Sequence, residues 1–197
     1  MLQTLLEFDK NLLISARSCM HDDWTFWIVI FGELIVVWYA IFIVGLWLYG
    51  TFKKSTPAKK AALNIGVLIC LVFGIYSILN FGIPQWRESP QDIVGSVKAL
   101  IPHPIDNSFP SGHALFWGAG LVGICMFWKK NTLLFLSLGI GLISNLARIF
   151  GAVHYPGDTI FGFIIGILGA FLLLPLGQKI TDSIFPFVQK IASFFRL

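Results

Sequence analysis

Charged side chains all but disappear from five stretches of the chain. Residues 24–49 carry only Glu33, residues 111–128 carry only His113, and residues 61–84, 131–147 and 159–178 carry none. About 20 apolar residues cross the hydrocarbon core of a bilayer as an α-helix. The pattern predicts five transmembrane helices, with the short stretch at 131–147 continuing past Arg148. The two ends of the chain read differently. In residues 1–20, Leu2, Leu5, Leu6, Leu12, Leu13 and Ala16 fall at helical spacing, with Glu7, Asp9, Lys10 and Arg17 between them. That alternation predicts an amphipathic helix in the membrane interface, whose simplest role is an anchor. The C-terminal ITDSIFPFVQKIASFFRL reads similarly, with Pro186 interrupting it.

The expected fold class is thus an all-α integral membrane protein. It is a bundle of five transmembrane helices with amphipathic interfacial helices at both termini, forming one membrane-embedded domain over residues 1–197. Composition agrees, since 12% of the 197 residues are charged, about half the usual share in soluble proteins. Because the spans recur along the whole chain, a secreted protein carrying a signal peptide is not expected.

Charge then sets an orientation. Lys53, Lys54, Lys59 and Lys60 follow the first span, Lys129 and Lys130 follow the third, and Lys179, Lys190 and Arg196 follow the fifth. If the spans alternate, these groups share one side, which the positive-inside rule makes cytoplasmic. His21, Asp22, Asp23, the loop 84–110 and the turn 151–158 share the other. The net charge of +4 is mostly a signal of topology, not a nucleic-acid footprint. Cys19, Cys70 and Cys125 form no motif, so neither a disulfide framework nor a zinc site is expected.

Three polar clusters converge on the outer side. Arg87-Glu88-Ser89-Pro90 follows the second span, Pro110-Ser111-Gly112-His113 opens the third, and Arg148 with His154-Tyr155-Pro156-Gly157-Asp158 joins the fourth and fifth. Ionisable residues at such a depth are functional candidates. An arginine fork matches phosphate oxygens. Ser111 and Gly112 open a helix, where backbone N–H groups and the positive dipole end favour an anion. One histidine can attack phosphorus if a carboxylate holds its other nitrogen, and Asp158 stands four residues after His154. The other can protonate the departing oxygen. Singly, each has a plainer use: Ser111 and Asp158 as helix caps, Arg87 and Arg148 as snorkelling residues, His113 as a satisfied interfacial histidine. Their joint placement favours the chemical reading.

PSGH at 110–113, followed by Arg148-x5-His154-x3-Asp158, resembles the phosphatidic-acid-phosphatase type 2 superfamily of membrane phosphatases. Within it, GELIVVWYAIFIVGLWLYG (32–50) and ALIPHPIDNSFPSGH (99–113) resemble the bacitracin-resistance type of undecaprenyl-diphosphatase. The resemblance implies that His154 is a nucleophile forming a phosphohistidine, Asp158 orients it, and His113 is the general acid. Arg87, Ser111, Gly112 and Arg148 would bind the phosphoryl oxygens. It implies no metal or other cofactor, a lipid phosphate or diphosphate substrate among membrane lipids, no nucleic acid and no obligate protein partner. The implied location is a bacterial cytoplasmic membrane, with the active site facing outside. The chain departs from the family pattern at Asn80, where a lysine is usual, at Glu88-Ser89, which separate Arg87 from Pro90, and at Ala147, where a serine is usual.

Two polar residues stand apart. Glu33 lies roughly 14 Å inside the outer end of the first span at 1.5 Å per residue. Its expected state is pairing with Asn80 or Arg148, or protonation, and both Glu33 and Asn80 are candidates for headgroup contact. His103 reads as a loop residue. The leading expectation is hydrolysis of undecaprenyl diphosphate to the monophosphate plus phosphate, which would serve carrier-lipid recycling for cell-wall synthesis. The alternatives are a phosphatase or phosphotransferase acting on phosphatidylglycerophosphate, phosphatidic acid or lipid A, and, from another class, a transporter.

The topology is testable with single cysteines at Ser55 and Ser96 in a background lacking the native three. An impermeant thiol reagent applied to intact cells should label position 96 and spare position 55. The reverse labelling would overturn the orientation.

Overall fold

The computed structural model describes residues 2–82, 87, 90, 99–101 and 107–195. Among them there are helices and no strands. Helix α1 covers Leu2–Ser18, and a 3₁₀ turn at Asp22–Trp24 leads into α2, Thr25–Phe52. Helix α3, Thr56–Phe81, starts with Pro57 in its first turn and with Ser55 Oγ accepting the Ala58 N–H, an N-cap arrangement that satisfies one of the orphan donors. Helix α4, Gly112–Gly123, widens into a π turn at Ile124–Trp128 and stops where Lys129 turns left-handed at φ 55°. Helix α5 is Asn131–Phe150 and α6 is Pro156–Phe194.

Among the described residues, four helices are long and apolar enough to cross a membrane: Asp22–Phe52, Thr56–Phe81, Asn131–Phe150 and Pro156–Phe194. The expected fifth, Gly112–Trp128, is shorter, about 26 Å at 1.5 Å per residue. It is also the best enclosed, because α2, α3, α5 and α6 all pack against it. Small residues make this possible. A Cβ on Gly166 would overlap the Leu115 carbonyl, and one on Gly118 would lie 2.5 Å from the Phe163 carbonyl oxygen. The α4 and α6 backbones therefore touch directly, the mode of packing expected where lipid supplies no hydrophobic drive between helices. Polar stitches join α2 to α5: Trp38 Nε1 donates to Ser137 Oγ at 2.7 Å and Ser144 Oγ to the Gly32 carbonyl at 2.8 Å.

One expectation about the termini changes. The C-terminal segment is not a separate interfacial helix, because α6 runs unbroken for 39 residues through Pro175 and Pro186. Contacts with the α2–α3 turn region hold its far half in place. Phe185 packs on Trp47 with ring centroids 6.4 Å apart, and Lys60 Nζ lies 2.6 Å from Asp182 Oδ1. Such packing offsets the lost hydrogen bond and ring clash of an internal proline. At the other end, α1 forms as expected, but it is seated on α5 and α6. Leu13 is fully buried beside Tyr155, with Ile14 and Ile149 around them.

The seam between α4 and α6 gives a direct stability test. Gly166→Val should lower the melting temperature in detergent by several degrees, since overpacking costs about 1–3 kcal/mol or more. Gly45→Val, where an added Cβ meets nothing within 4 Å, should leave it unchanged.

Candidate active site

Three helices bring their polar residues to one end of the bundle. Glu33 comes from α2, His113 is the second residue of α4, and Arg148 lies in the last turn of α5. Arg148 Nη1 donates to Glu33 Oε1 at 3.0 Å, and His113 Nε2 lies 3.1 Å from Glu33 Oε2 and 3.4 Å from Arg148 Nη1. Arg148 is 3% exposed, whereas the Glu33 side chain is half exposed. One carboxylate thus bridges a buried guanidinium and an imidazole. Of the two expected partners of Glu33, the structure selects Arg148 and adds His113. The other, Asn80, donates its Nδ2–H to the Asn107 carbonyl at 2.7 Å.

A second cluster adjoins the first. His154 Nδ1 lies 3.0 Å from the Ser108 carbonyl oxygen. A carbonyl can only accept, so Nδ1 carries hydrogen, and in the neutral ring the lone pair is on Nε2. Asp158, in the first turn of α6, is fully buried. Its Oδ2 accepts from Ser108 Oγ and from the Tyr155 N–H at 2.9 Å, and its Oδ1 accepts from Arg87 Nη1 at 2.7 Å. Asp158 therefore connects to His154 through Ser108, whose hydroxyl it holds and whose carbonyl receives the imidazole. Arg87 spends its other arm on Asp9 Oδ2 at 2.7 Å and lies 3.8 Å over the Tyr155 ring.

A cleft of about 460 Å³ opens between α2, α3 and α4. Glu33, Gly112, His113, Arg148 and His154 line its polar end, while Val36, Ile69, Phe73, Tyr76 and Phe116 line its apolar body. The helix start at Gly112 approaches Tyr76 closely, since a Cβ there would sit 3.2 Å from the ring. The remaining sequence candidates sit outside this lining. The Ser111 N–H donates to the Asp158 carbonyl at 3.1 Å, and its Oγ is buried without a partner among the described residues. Arg87 is engaged by two carboxylates. His103 lies outside the described residues. Among those described, no group of three or more His, Cys, Asp or Glu side chains is placed to hold a metal ion.

Sequence reasoning passed over Ser108 and gave Asp9 only an anchoring helix. Ser108 had a faint signal, two residues before PSGH. Asp9 had none, because a carboxylate on an amphipathic helix normally faces water.

The arrangement offers an imidazole fixed by its Nδ1, a second imidazole across the cleft, a buried cation, and an apolar trough beside them. That set suits transfer of a phosphoryl group from an amphiphile. The PAP2 superfamily pattern matches residues 80–182. The chain is 29% identical over 168 residues to the undecaprenyl-diphosphatase BcrC of Bacillus subtilis, covering 85% of this chain and 80% of that one. It is 31% identical to the bacitracin transport permease protein BcrC of Bacillus licheniformis, covering 76% and 70%. Its fold is similar to the crystal structure of Aquifex aeolicus LpxE, with a TM-score of 0.59 at 19% identity over 84% of this chain and 93% of that one. With the family pattern spanning about half the chain and these relatives aligned over most of it, the chain belongs to the PAP2 superfamily.

Proposed function

We propose that the protein hydrolyses undecaprenyl diphosphate to undecaprenyl phosphate and inorganic phosphate, at the extracytoplasmic face of a bacterial membrane, through a phosphohistidine on His154. The observation that carries this reading is the cleft, which joins His113, Arg148 and His154 to an apolar trough. A headgroup fits the first part and a lipid tail the second. The relative named as the undecaprenyl-diphosphatase BcrC supports the same lipid.

In this mechanism His154 Nε2 attacks the terminal phosphorus. The bond from phosphorus to the bridging oxygen breaks, and its electron pair leaves with the lipid monophosphate. Protonated His113 donates its proton to that oxygen. Arg148 neutralises the phosphoryl oxygens. Water then attacks the phosphohistidine, His113 takes its proton, and the phosphorus–nitrogen bond breaks to release phosphate and restore His154. Asp158 acts through Ser108, fixing the ring and stabilising the positive charge that develops on it. The Glu33 oxygens, 3.0 Å from Arg148 Nη1 and 3.1 Å from His113 Nε2, mark positions that phosphoryl oxygens would take over. A lipid monophosphate is a better leaving group than an alkoxide. The proposed site therefore tolerates an amide at Asn80 where the family usually places a lysine.

His154→Ala should reduce phosphate release from undecaprenyl diphosphate by about 10³-fold or more, while Asp158→Asn should be severe but less complete. Turnover should persist in EDTA and be inhibited by vanadate, a mimic of the five-coordinate phosphoryl state. Full activity in His154→Ala would remove the nucleophile assignment, and no phosphate release at all by the wild-type protein would favour a transporter.

A panel of purified lipid phosphates tests the substrate. Undecaprenyl diphosphate should show a higher kcat/KM than phosphatidic acid, phosphatidylglycerophosphate or lipid A. A tenfold preference for one of the latter, about 1.4 kcal/mol of transition-state binding, would reassign the substrate and leave the phosphohistidine chemistry standing.

A further inference from the structure

We infer that Asp9, on the N-terminal helix α1, is a positioning residue for the reaction: it fixes, through Arg87, the Asp158–Ser108 pair that sets His154. The inference rests on the proposed role of His154 as nucleophile. Asp9 lies well before the segment matched by the family pattern, residues 80–182.

Both carboxylate oxygens of Asp9 are engaged by the active-site face. Oδ2 accepts from Arg87 Nη2 at 2.7 Å, and Oδ1 accepts from the Gly157 N–H at 2.8 Å, across 148 residues of chain. The approach is close enough that a Cβ on Gly157 would lie 2.6 Å from Asp9 Oδ2. A side chain at 157 would thus meet the Asp9 carboxylate and push it from its place. The helix is registered for this contact independently, because Leu13, one turn further on, is fully buried against Tyr155.

Arg87 is held from both sides, with one arm on Asp9, the other on Asp158 and its flat face over Tyr155. A guanidinium fork is planar, so fixing one arm aims the other. Asp9 thereby sets the angle at which Arg87 meets Asp158 Oδ1. That leaves Asp158 Oδ2 for Ser108 Oγ, and the Ser108 carbonyl for His154 Nδ1. With both carboxylates ionised, the Asp9–Arg87–Asp158 trio carries one net negative charge. A buried negative charge stabilises the positive imidazole that forms as His154 takes phosphorus. Neutralising Asp9 makes the trio neutral and withdraws that stabilisation without touching the cleft, whose lining does not include Asp9.

The charged and titratable groups that face the His154 ring across the cleft are Glu33, His113 and Arg148, with Tyr76 beside them. Behind it, through Ser108, stand Asp158, Arg87 and Asp9. The single substitution Asp9→Asn changes only the last.

The test uses the full-length protein in detergent with undecaprenyl diphosphate. Asp9→Asn should lower kcat by about tenfold or more with KM within twofold, since it loses transition-state stabilisation only. The acid limb of its kcat–pH profile should move to lower pH, because less negative charge near His154 makes the neutral, attacking ring easier to reach. Asp9→Glu should recover part of the rate. Added to Arg87→Gln, Asp9→Asn should cost less than it does alone, because the positioning path is already cut and only the charge effect remains. Leu13→Ala, which loosens α1 without altering the charges, should lower the melting temperature and leave the pH profile in place. A wild-type kcat and profile in Asp9→Asn would overturn the inference and leave the phosphohistidine proposal intact. So would a rate loss matched by a lower melting temperature with an unmoved profile. Full turnover in His154→Ala would overturn both together.

Discussion

Asp158 is the constraint on which the candidate-site end of the bundle depends. A fully buried carboxylate is costly unless every lone pair finds a donor. Here the side chain takes Arg87 Nη1, Ser108 Oγ and the Tyr155 N–H. Its main-chain carbonyl takes the Ser111 N–H. One residue therefore fastens the start of α6, the 107–111 strip and the start of α4. The two histidines ride on those segments: His113 two residues beyond Ser111, and His154 against the carbonyl of Ser108. Satisfying one buried charge and positioning two imidazoles are the same structural event.

The opposite wall is set by a different interaction. Ser144 donates to the Gly32 carbonyl one helical turn before Arg148, and Glu33 immediately follows Gly32. That bond registers α5 against α2 so that Arg148 and Glu33 meet at 3.0 Å. Gly32 also packs closely here: a Cβ there would sit 3.2 Å from Ile101 Cδ1 and in ordinary contact, 3.6 Å, with Arg148 Cγ. In lipid, where apolar surface alone does not choose between helix registers, such hydrogen bonds and close contacts decide them.

Much of this was legible in the sequence, for reasons that also explain what was not. The spans could be read because a charge is expensive in hydrocarbon, so its absence over 61–84 or 159–178 carries information. Gly112, His113, Arg148 and His154 sit in a spaced pattern, and the cleft brings them together with Glu33. The sequence placed Asp158 next to His154, but the route between them uses Ser108, whose part depends on the 107–111 strip lying against the start of α6. Asp9 was illegible for the same reason: its partners are 78 and 148 residues away, and local periodicity says only that it is polar. Pro186 misled because its local rule, that proline interrupts a helix, is outweighed by tertiary packing such as Phe185 on Trp47.

Glu33 gives the site its remaining logic. It sets a carboxylate against Arg148, a nearly buried cation beside an apolar trough, where charge without compensation is costly. The carboxylate neutralises that cation and contacts His113 from a half-exposed position. Under the proposed mechanism the incoming ligand must then exchange one anion for another. A singly charged carboxylate is displaced most readily by a group that brings more charge and more oxygens to the same two donors, which a terminal phosphate of a diphosphate does. The exchange also shifts Glu33 from partner to neighbour. Its negative charge then lies near the phosphoryl group rather than on Arg148, which favours departure of phosphate once the phosphohistidine is hydrolysed. In the proposed mechanism, selectivity for a highly charged headgroup and release of an anionic product would both follow from one carboxylate placed between a guanidinium and an imidazole.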